Sequence, residues 1–89
     1  MICRKLTIVN RLGLHARAAA RLVGLTSRFA ANIEIERDGK KVNGKSIMGV
    51  MMLAAAQGSE ITVTADGADE AEAMEEITIL VRERFGETE

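Results

Sequence analysis

The sequence predicts an α+β fold, an open-faced β-sandwich in which a four-stranded antiparallel sheet is covered on one face by three helices. Three segments alternate apolar and polar residues with the period of a strand, and a fourth strand is expected beyond an Asp-Gly turn. Three further segments repeat apolar residues at helical spacing. The resulting element order is βαββαβα. At 89 residues the chain has room for one modest core, so we expect a single domain over residues 1–89.

The first strand and the first helix are predicted from two different periods. Apolar and polar residues alternate over residues 2–9, which is typical of a half-buried strand. Its inward side chains are Ile2, Leu6 and Ile8. From about Ala16 to Phe29 the period is helical. The buried stripe of this helix is predicted to consist of Ala18, Leu22, Leu25 and Phe29.

A hairpin follows the first helix. Residues 32–36 alternate cleanly and predict a second half-buried strand. Asp38 and Gly39 predict a type I′ turn, because these residue types tolerate the positive φ that both central positions need. The returning strand is predicted over residues 40–43.

The second helix is predicted from an N-cap residue, and the last strand from alternation of apolar and polar residues. Ser46 is a good N-cap for a helix over Ile47 to Ala56, and Gly58 lies beyond the expected end of that helix. Residues 60–65 alternate again and predict the last strand.

The chain is predicted to end in a helix. Asp69 is expected to cap it, the helix should run to about Phe85, and Gly86 should stop it. The side chains expected to face inward are Ala73, Ile77, Leu80 and Val81.

Charged residues are distributed unevenly along the chain. Residues 1–59 contain ten of the twelve Lys and Arg with three acids, a local charge of +7, whereas residues 60–89 contain ten acids with two arginines, a local charge of −8. The first part therefore offers a positive field to an anion or an acidic partner. Nucleic acid fits less well as a partner, because the pI is 5.9 and the only aromatic residues are two phenylalanines.

Several protein classes are disfavoured by the composition. The single Cys3 has no partner for an internal disulfide and no neighbour at a metal-ligand spacing. No apolar run approaches the roughly 20 residues of a transmembrane helix, and the N-terminal residues alternate too quickly for a signal peptide. We therefore expect a cytoplasmic protein with no cofactor, no metal and no membrane association. We also expect it to be a monomer.

The only histidine, His15, lies where a loop is predicted to become the first helix. Unpaired backbone N–H groups and a partial positive charge are present at such a helix N-terminus. A protonated ring is disfavoured there, so we expect a neutral, nucleophilic imidazole. A phosphoryl group on His15 would face the helix N-terminus and Arg17. The alternatives are an incidental surface histidine, a catalytic triad or a zinc site, and the last two lack partner residues in the sequence.

Two segments resemble a known family. Residues 13–19, GLHARAA, closely resemble the active-site signature of the histidine-containing phosphocarrier proteins (HPr) of the bacterial phosphoenolpyruvate-dependent phosphotransferase system. Residues 44–51, GKSIMGVM, resemble the regulatory-serine segment of the same family. Chain length and element order are also similar, so the resemblance covers nearly the whole chain.

The resemblance implies the fold of that family and a carrier role, not that of an enzyme. It implies that Enzyme I, itself phosphorylated from phosphoenolpyruvate, transfers the group to Nδ1 of His15, where Arg17 helps to hold it. A sugar-specific Enzyme IIA or a regulatory counterpart then accepts it. The family usually has proline where this chain has Ala18, so we expect a slightly looser first helical turn.

The second predicted helix is apolar on all sides. Its spacing predicts a core stripe of Ile47, Val50, Met51 and Ala54, with part of the remaining surface exposed as a partner site. The resemblance instead implies a docking surface near His15 that includes Ile47, Met48 and Met51. Arg21 of the first helix is assigned to the same surface. The two interpretations disagree for Ile47 and Met51.

Ser46 also has two interpretations. The sequence pattern predicts only an N-cap, whereas the resemblance implies regulatory phosphorylation by an HPr kinase/phosphorylase. The alternative to a phosphocarrier is a regulatory protein-binding module that acts through the methionine-rich second helix and Ser46 phosphorylation, with His15 incidental.

Residues 39–46 match the nucleotide-binding pattern G-x-x-x-x-G-K-S. A real P-loop follows a buried strand of a large parallel sheet. Here the first glycine belongs to the predicted Asp38-Gly39 turn and the chain is short, so we interpret the match as a coincidence.

Overall fold

The structure is a computed structural model that describes residues 1–89. Its elements are β1 (Ile2–Thr7), α1 (Ala16–Thr26), β2 (Asn32–Arg37), β3 (Lys40–Asn43), α2 (Ile47–Met52), β4 (Glu60–Asp66) and α3 (Glu70–Arg82), followed by a short 3-10 turn, Arg84–Gly86. The predicted order βαββαβα is confirmed. None of the helices combines the length and the apolar character needed to cross a bilayer.

The four strands form one antiparallel sheet in the order β1-β4-β2-β3. In this register Leu6 of β1 lies opposite Ile61 of β4, and Val63 of β4 lies opposite Ile35 of β2. These side chains belong to a single cluster of 22 buried apolar residues between the sheet and the helices. The other face carries polar side chains such as Lys5 and Glu34, which are exposed. The predicted open-faced sandwich is therefore confirmed.

The predicted β2–β3 hairpin is confirmed in detail. Asp38 and Gly39 have φ values of +51° and +82°, as a type I′ turn requires.

All three helices end earlier than the sequence pattern predicts. Instead of reaching Phe29, Ala56 and Phe85, they end at Thr26, Met52 and Arg82. The pattern was misleading because the loops after the helices also supply core residues: Phe29, Ala55 and Phe85 are buried although they lie outside the α-helices. After α2 the chain has a positive φ at Ala54, and after α3 it has positive φ at Arg84 and Phe85.

Asp69 precedes α3 as predicted, but its side chain does not cap that helix. Its two carboxylate oxygens accept hydrogen bonds from the backbone N–H groups of Ala30 and Ala31, at 2.8 and 2.9 Å. The side chain of Glu70, the first residue of α3, accepts from the N–H of Gly67 in the loop before the helix, at 3.0 Å. Asp69 therefore ties the start of α3 to the turn before β2. The two backbone donors lower the pKa of its carboxyl group.

We expect Asp69→Asn to lower the melting temperature at neutral pH and to have little effect in strong acid. A carboxyl group with a lowered pKa in the folded state stabilises the fold above its unfolded pKa, near 3.8, and this contribution is lost as the pH falls through the folded pKa. Thermal unfolding of both proteins between about pH 7 and pH 2 measures the difference. Asp38→Asn is the control, because asparagine also tolerates the turn conformation of Asp38. A difference in melting temperature between wild type and Asp69→Asn that is the same at all pH values would contradict the prediction.

Candidate functional site

His15 lies at the entrance of α1, as predicted. It is the N-cap residue, with an extended backbone (φ −74°, ψ 179°), and its side chain makes no capping bond. Its carbonyl oxygen accepts from the N–H of Ala19 at 2.8 Å and so begins the helix. The imidazole is therefore not used to stabilise the helix and is available for other contacts.

The loop before His15 is fixed by Gly13. This glycine has φ +67°, and a Cβ placed on it would lie 2.5 Å from the carbonyl oxygen of Ala55. The next N–H, that of Leu14, donates to the same oxygen at 2.9 Å, and the Leu14 side chain is buried. Close backbone contact and a positive φ both require glycine here. The loop therefore holds His15 at a defined position relative to the segment after α2.

The imidazole contacts a carboxylate from the opposite end of the chain. Nε2 of His15 lies 2.5 Å from Oε2 of Glu87, and the two side chains are 28% and 14% exposed. Nδ1 is the ring nitrogen without a protein partner. Glu87 could not be predicted as part of the site from the sequence, because it lies 72 positions from His15 and no local pattern connects them.

Asn10 holds the second oxygen of Glu87. Its side chain is fully buried, and its Nδ2 donates to Oε1 of Glu87 at 3.0 Å and to the carbonyl oxygen of Gly13 at 2.8 Å. The hydrogen bond from Asn10, followed by the contact with His15, keeps the pKa of Glu87 below its usual value. No sequence pattern identified Asn10 as part of the site either. Asn10, Glu87 and His15 form a continuous polar chain.

Arg17 is exposed on the first turn of α1 and lines a pocket of about 280 Å³. The other residues that line it are Arg11, Leu12, Glu87, Thr88 and Glu89. The structure therefore places Arg17 and the Glu87 partner of His15 around the same pocket. Two guanidinium groups and two carboxylates line this pocket. Arg11 is paired with Glu89 at 2.8 Å and Glu87 with His15, so Arg17 is the guanidinium left to bind an anion.

Arg21 is exposed and makes an intramolecular hydrogen bond, and its predicted contact with partners stays a prediction. Its guanidinium donates to the carbonyl oxygen of Phe85, in the turn that leads to Glu87. Arg21 thus helps to hold the C-terminal segment beside His15.

Ser46 is the N-cap of α2, as predicted. Its Oγ accepts from the N–H of Gly49 at 3.1 Å. This confirms the capping role. It leaves regulatory phosphorylation as a prediction.

The predicted core stripe of α2 is wrong for Ile47, Met51 and Ala54. Ile47 and Met51 are 43% and 40% exposed, and Ala54 lies outside the helix. Only Val50 of that stripe is buried, together with Leu53 after the helix. The helix is six residues long, so it turns one narrow side toward the core. The exposed large side chains of α2 are Ile47, Met48, Met51 and Met52.

The nucleotide-binding pattern of residues 39–46 has no P-loop structure. Gly39 lies in the β2–β3 turn of an antiparallel sheet, and Nζ of Lys45 donates to the carbonyl oxygen of Phe29 at 2.7 Å. The segment is a hairpin strand followed by a helix cap, in agreement with the interpretation as a coincidence.

Known proteins resemble this chain along its whole length. The PTS-HPr family model, the PTS HPr component phosphorylation site, matches residues 2–83. The phosphocarrier protein HPr of Cupriavidus necator is 52% identical over 89 residues, with both chains fully covered. A crystal structure of HPr from Thermoanaerobacter tengcongensis has a TM-score of 0.96 and 44% identity, covering 100% of both chains. An HPr dimer from the same organism has a TM-score of 0.79 and 46% identity, covering 92% of this chain and 94% of that one. The chain belongs to the HPr family, the phosphocarrier proteins of the phosphotransferase system.

Proposed function

We propose that this phosphocarrier accepts its phosphoryl group at Nδ1 of His15 from phosphorylated Enzyme I and donates it to an Enzyme IIA. The observation that supports this most directly is the arrangement of the only histidine. It lies at the N-terminus of α1, its Nε2 is occupied by Glu87, and Arg17 lines the adjoining pocket. The partner enzymes and the cytoplasmic location are inferred from the family, and the monomeric state stays a prediction.

The site favours a phosphorylated ring through two contributions. The helix N-terminus stabilises a nearby negative charge by about 0.3–1 kcal/mol, and by more where the charge is partly buried. A charge-assisted hydrogen bond from Arg17 adds about 1.5–3 kcal/mol. Arg17 is therefore expected to contribute more than the helix dipole.

The transfer itself is a displacement at phosphorus. The lone pair of Nδ1 forms the new N–P bond while the bond between phosphorus and the donor enzyme breaks, and the donor keeps that electron pair. In a second displacement, a nucleophilic atom of the acceptor bonds to phosphorus while the Nδ1–P bond breaks and its electron pair returns to the ring. The chain becomes phosphorylated by one partner and is dephosphorylated by the other, so it acts as a carrier. The partners supply the groups that donate and accept the phosphoryl group.

The proposal is tested by incubating the chain with Enzyme I and phosphoenolpyruvate. The intact mass should increase by one phosphoryl group, and the adduct should be lost in acid, as expected for a phosphohistidine. Omission of Enzyme I is the control. An acid-stable adduct, or no adduct at all, would contradict the proposal.

We propose further that the exposed side chains of α2 bind Enzyme I, and we expect Met48→Asp to weaken that binding about tenfold or more. Met48 is 73% exposed, so the substitution should leave the fold intact while it introduces charge into an apolar patch that a partner would cover. Isothermal titration calorimetry measures the affinity. Ile79→Asp is the control, because Ile79 is an exposed apolar residue of α3. Equal losses in both variants would contradict the assignment of α2.

We propose that Ser46 is the regulatory phosphorylation site, and we expect Ser46→Asp to lower the affinity for Enzyme I severalfold at low salt. The negative charge would lie at the N-terminus of α2, next to Ile47 of the proposed docking surface, and would repel an acidic partner. Ser46→Asn is the matched control, because asparagine and aspartate are equally good N-caps. The difference should shrink as the ionic strength rises. An identical affinity of the two variants for Enzyme I would argue against charge control.

A regulatory binding module remains the second candidate, and the exposed apolar surface of α2 favours it. In that case His15→Ala would leave function in cells intact while Met48→Asp abolished it. The phosphocarrier proposal requires both substitutions to impair function.

A further inference from the structure

We infer that Glu87, held in place by Asn10, is a positioning residue that fixes the tautomer of His15 with the proton on Nε2 and the lone pair on Nδ1. The inference rests on the proposed function for its role in transfer, but the tautomer itself is a property of the unphosphorylated chain. It assigns a function to two residues that lie outside the GLHARAA segment.

The hydrogen bonds of Glu87 carry the inference. A carboxylate only accepts hydrogen bonds, so a contact of 2.5 Å with Nε2 requires a proton on that nitrogen. A neutral imidazole has one ring proton, and therefore Nδ1 is left with the lone pair that attacks phosphorus. The other carboxylate oxygen is held by Nδ2 of Asn10, whose side chain is fully buried. Neither oxygen can leave its partner without the loss of a hydrogen bond.

The C-terminal segment that carries Glu87 is anchored on both sides. Before it, Phe85 is fully buried, and its carbonyl oxygen accepts from Arg21. After it, the carbonyl oxygen of Glu89 accepts from the N–H of Arg11 at 2.6 Å. Glu87 is therefore presented to His15 by a fixed segment of the fold.

Glu87 is also placed to assist the transfer. When Nδ1 forms its bond to phosphorus and the bond between phosphorus and the donor breaks, the ring retains the proton on Nε2 and gains a positive charge. The carboxylate of Glu87 stabilises this charge through the same hydrogen bond. On donation, a nucleophilic atom of the acceptor bonds to phosphorus, the electron pair of the N–P bond returns to Nδ1, and the proton stays on Nε2. No proton enters or leaves the pair during the cycle, so the ring is ready for the next transfer.

Glutamine at position 87 should invert the tautomer. Nδ2 of Asn10 is a donor and will keep the amide oxygen of the glutamine, so the glutamine NH₂ group will face Nε2 of His15. This donor favours an unprotonated Nε2 and moves the proton to Nδ1, which removes the attacking lone pair. Glu87→Ala removes the carboxylate without adding a donor, so residue 87 then favours neither tautomer of His15. We therefore expect Glu87→Gln to slow phosphorylation by Enzyme I by about tenfold or more through kcat, and to be slower than Glu87→Ala.

The experiment is nitrogen-15 NMR of the single histidine ring combined with phosphorylation kinetics. At about pH 8 the wild type should show the Nε2–H tautomer, and Glu87→Gln should show the Nδ1–H tautomer. Glu76→Gln is the matched control, since it removes an exposed carboxylate of α3 that does not line the pocket and leaves the Glu87–His15 contact intact. Melting temperatures confirm that each variant is folded.

Two results would overturn the inference: the same tautomer in wild type and Glu87→Gln, or Glu87→Gln phosphorylation as fast as that of Glu76→Gln. The NMR measurement needs no partner enzyme. If wild type shows the Nε2–H tautomer but is never phosphorylated, the proposed function fails and the assignment of Glu87 stands. If wild type is phosphorylated but the variants do not differ, the proposed function stands and the role of Glu87 fails.

Discussion

His15→Ala is expected to abolish phosphorylation by Enzyme I completely while the chain stays folded. Its phosphoryl acceptor would be gone, and the chain has no second histidine to replace it. The fold should tolerate the change for two reasons. The capping function of residue 15 uses its backbone carbonyl, and its side chain makes no capping bond. The side chain is also 28% exposed, so its removal leaves no sealed cavity.

The measurement is intact-mass spectrometry after incubation with Enzyme I and phosphoenolpyruvate, with circular dichroism to compare the folds. His15→Gln is a useful second variant, because it keeps a polar side chain beside Glu87 and still lacks the imidazole. Both variants should remain unmodified, and both should keep the melting temperature of wild type within about 5 °C, the effect of roughly 1 kcal/mol in a domain of this size. A phosphoryl adduct on either variant would show that another residue is the acceptor.

Much of the fold could be predicted because its strands and turns are specified by local patterns. Alternation places Leu6, Ile35 and Val63 on the same face of the sheet, and it needs no knowledge of distant residues. The type I′ turn at Asp38 and Gly39 follows from the φ angles that these two residue types tolerate. The helix ends could not be predicted in this way. Buried residues continue past them into the loops, and periodicity alone does not distinguish a helical core residue from a loop residue that fills the core.

The site was predictable only in part, for a similar reason. The position of His15 at a helix entrance follows from neighbouring residues, including Gly13, which bends the loop. Asn10 and Glu87 meet across 77 positions of sequence, through the packing of the C-terminal segment, so no spacing rule could connect them. The exposure of Ile47 and Met51 also depends on tertiary structure. The sequence pattern predicted a longer α2 with a wide buried stripe, whereas the six-residue helix turns only Val50 toward the core.

Arg17→Ala is expected to slow phosphorylation by about 10- to 150-fold, which corresponds to the loss of one charge-assisted hydrogen bond of about 1.5–3 kcal/mol. Arg17 is exposed and lines the pocket that it shares with Glu87, so its removal should leave the melting temperature nearly unchanged. The loss should appear mainly in kcat, because the guanidinium gains its partner only when the phosphoryl group reaches His15. Stopped-flow or quench-flow phosphorylation by Enzyme I measures both constants.

Two further variants distinguish a direct contact between Arg17 and the phosphoryl group from a general effect of positive charge. Arg28→Ala removes the same charge from an exposed position beyond the other end of α1, far along the helix from His15, and should have a small effect that disappears in salt. Arg17→Lys keeps the charge at the site but lacks the planar pair of donors that matches phosphate, so its rate should fall between wild type and Arg17→Ala. If Arg17→Ala and Arg28→Ala slowed phosphorylation by the same factor, the positive field of the N-terminal part would explain the result. Arg17 would then have no specific contact with the phosphoryl group. If Arg17→Lys matched wild type, a point charge would suffice, and the geometry of the guanidinium would not matter for the transfer.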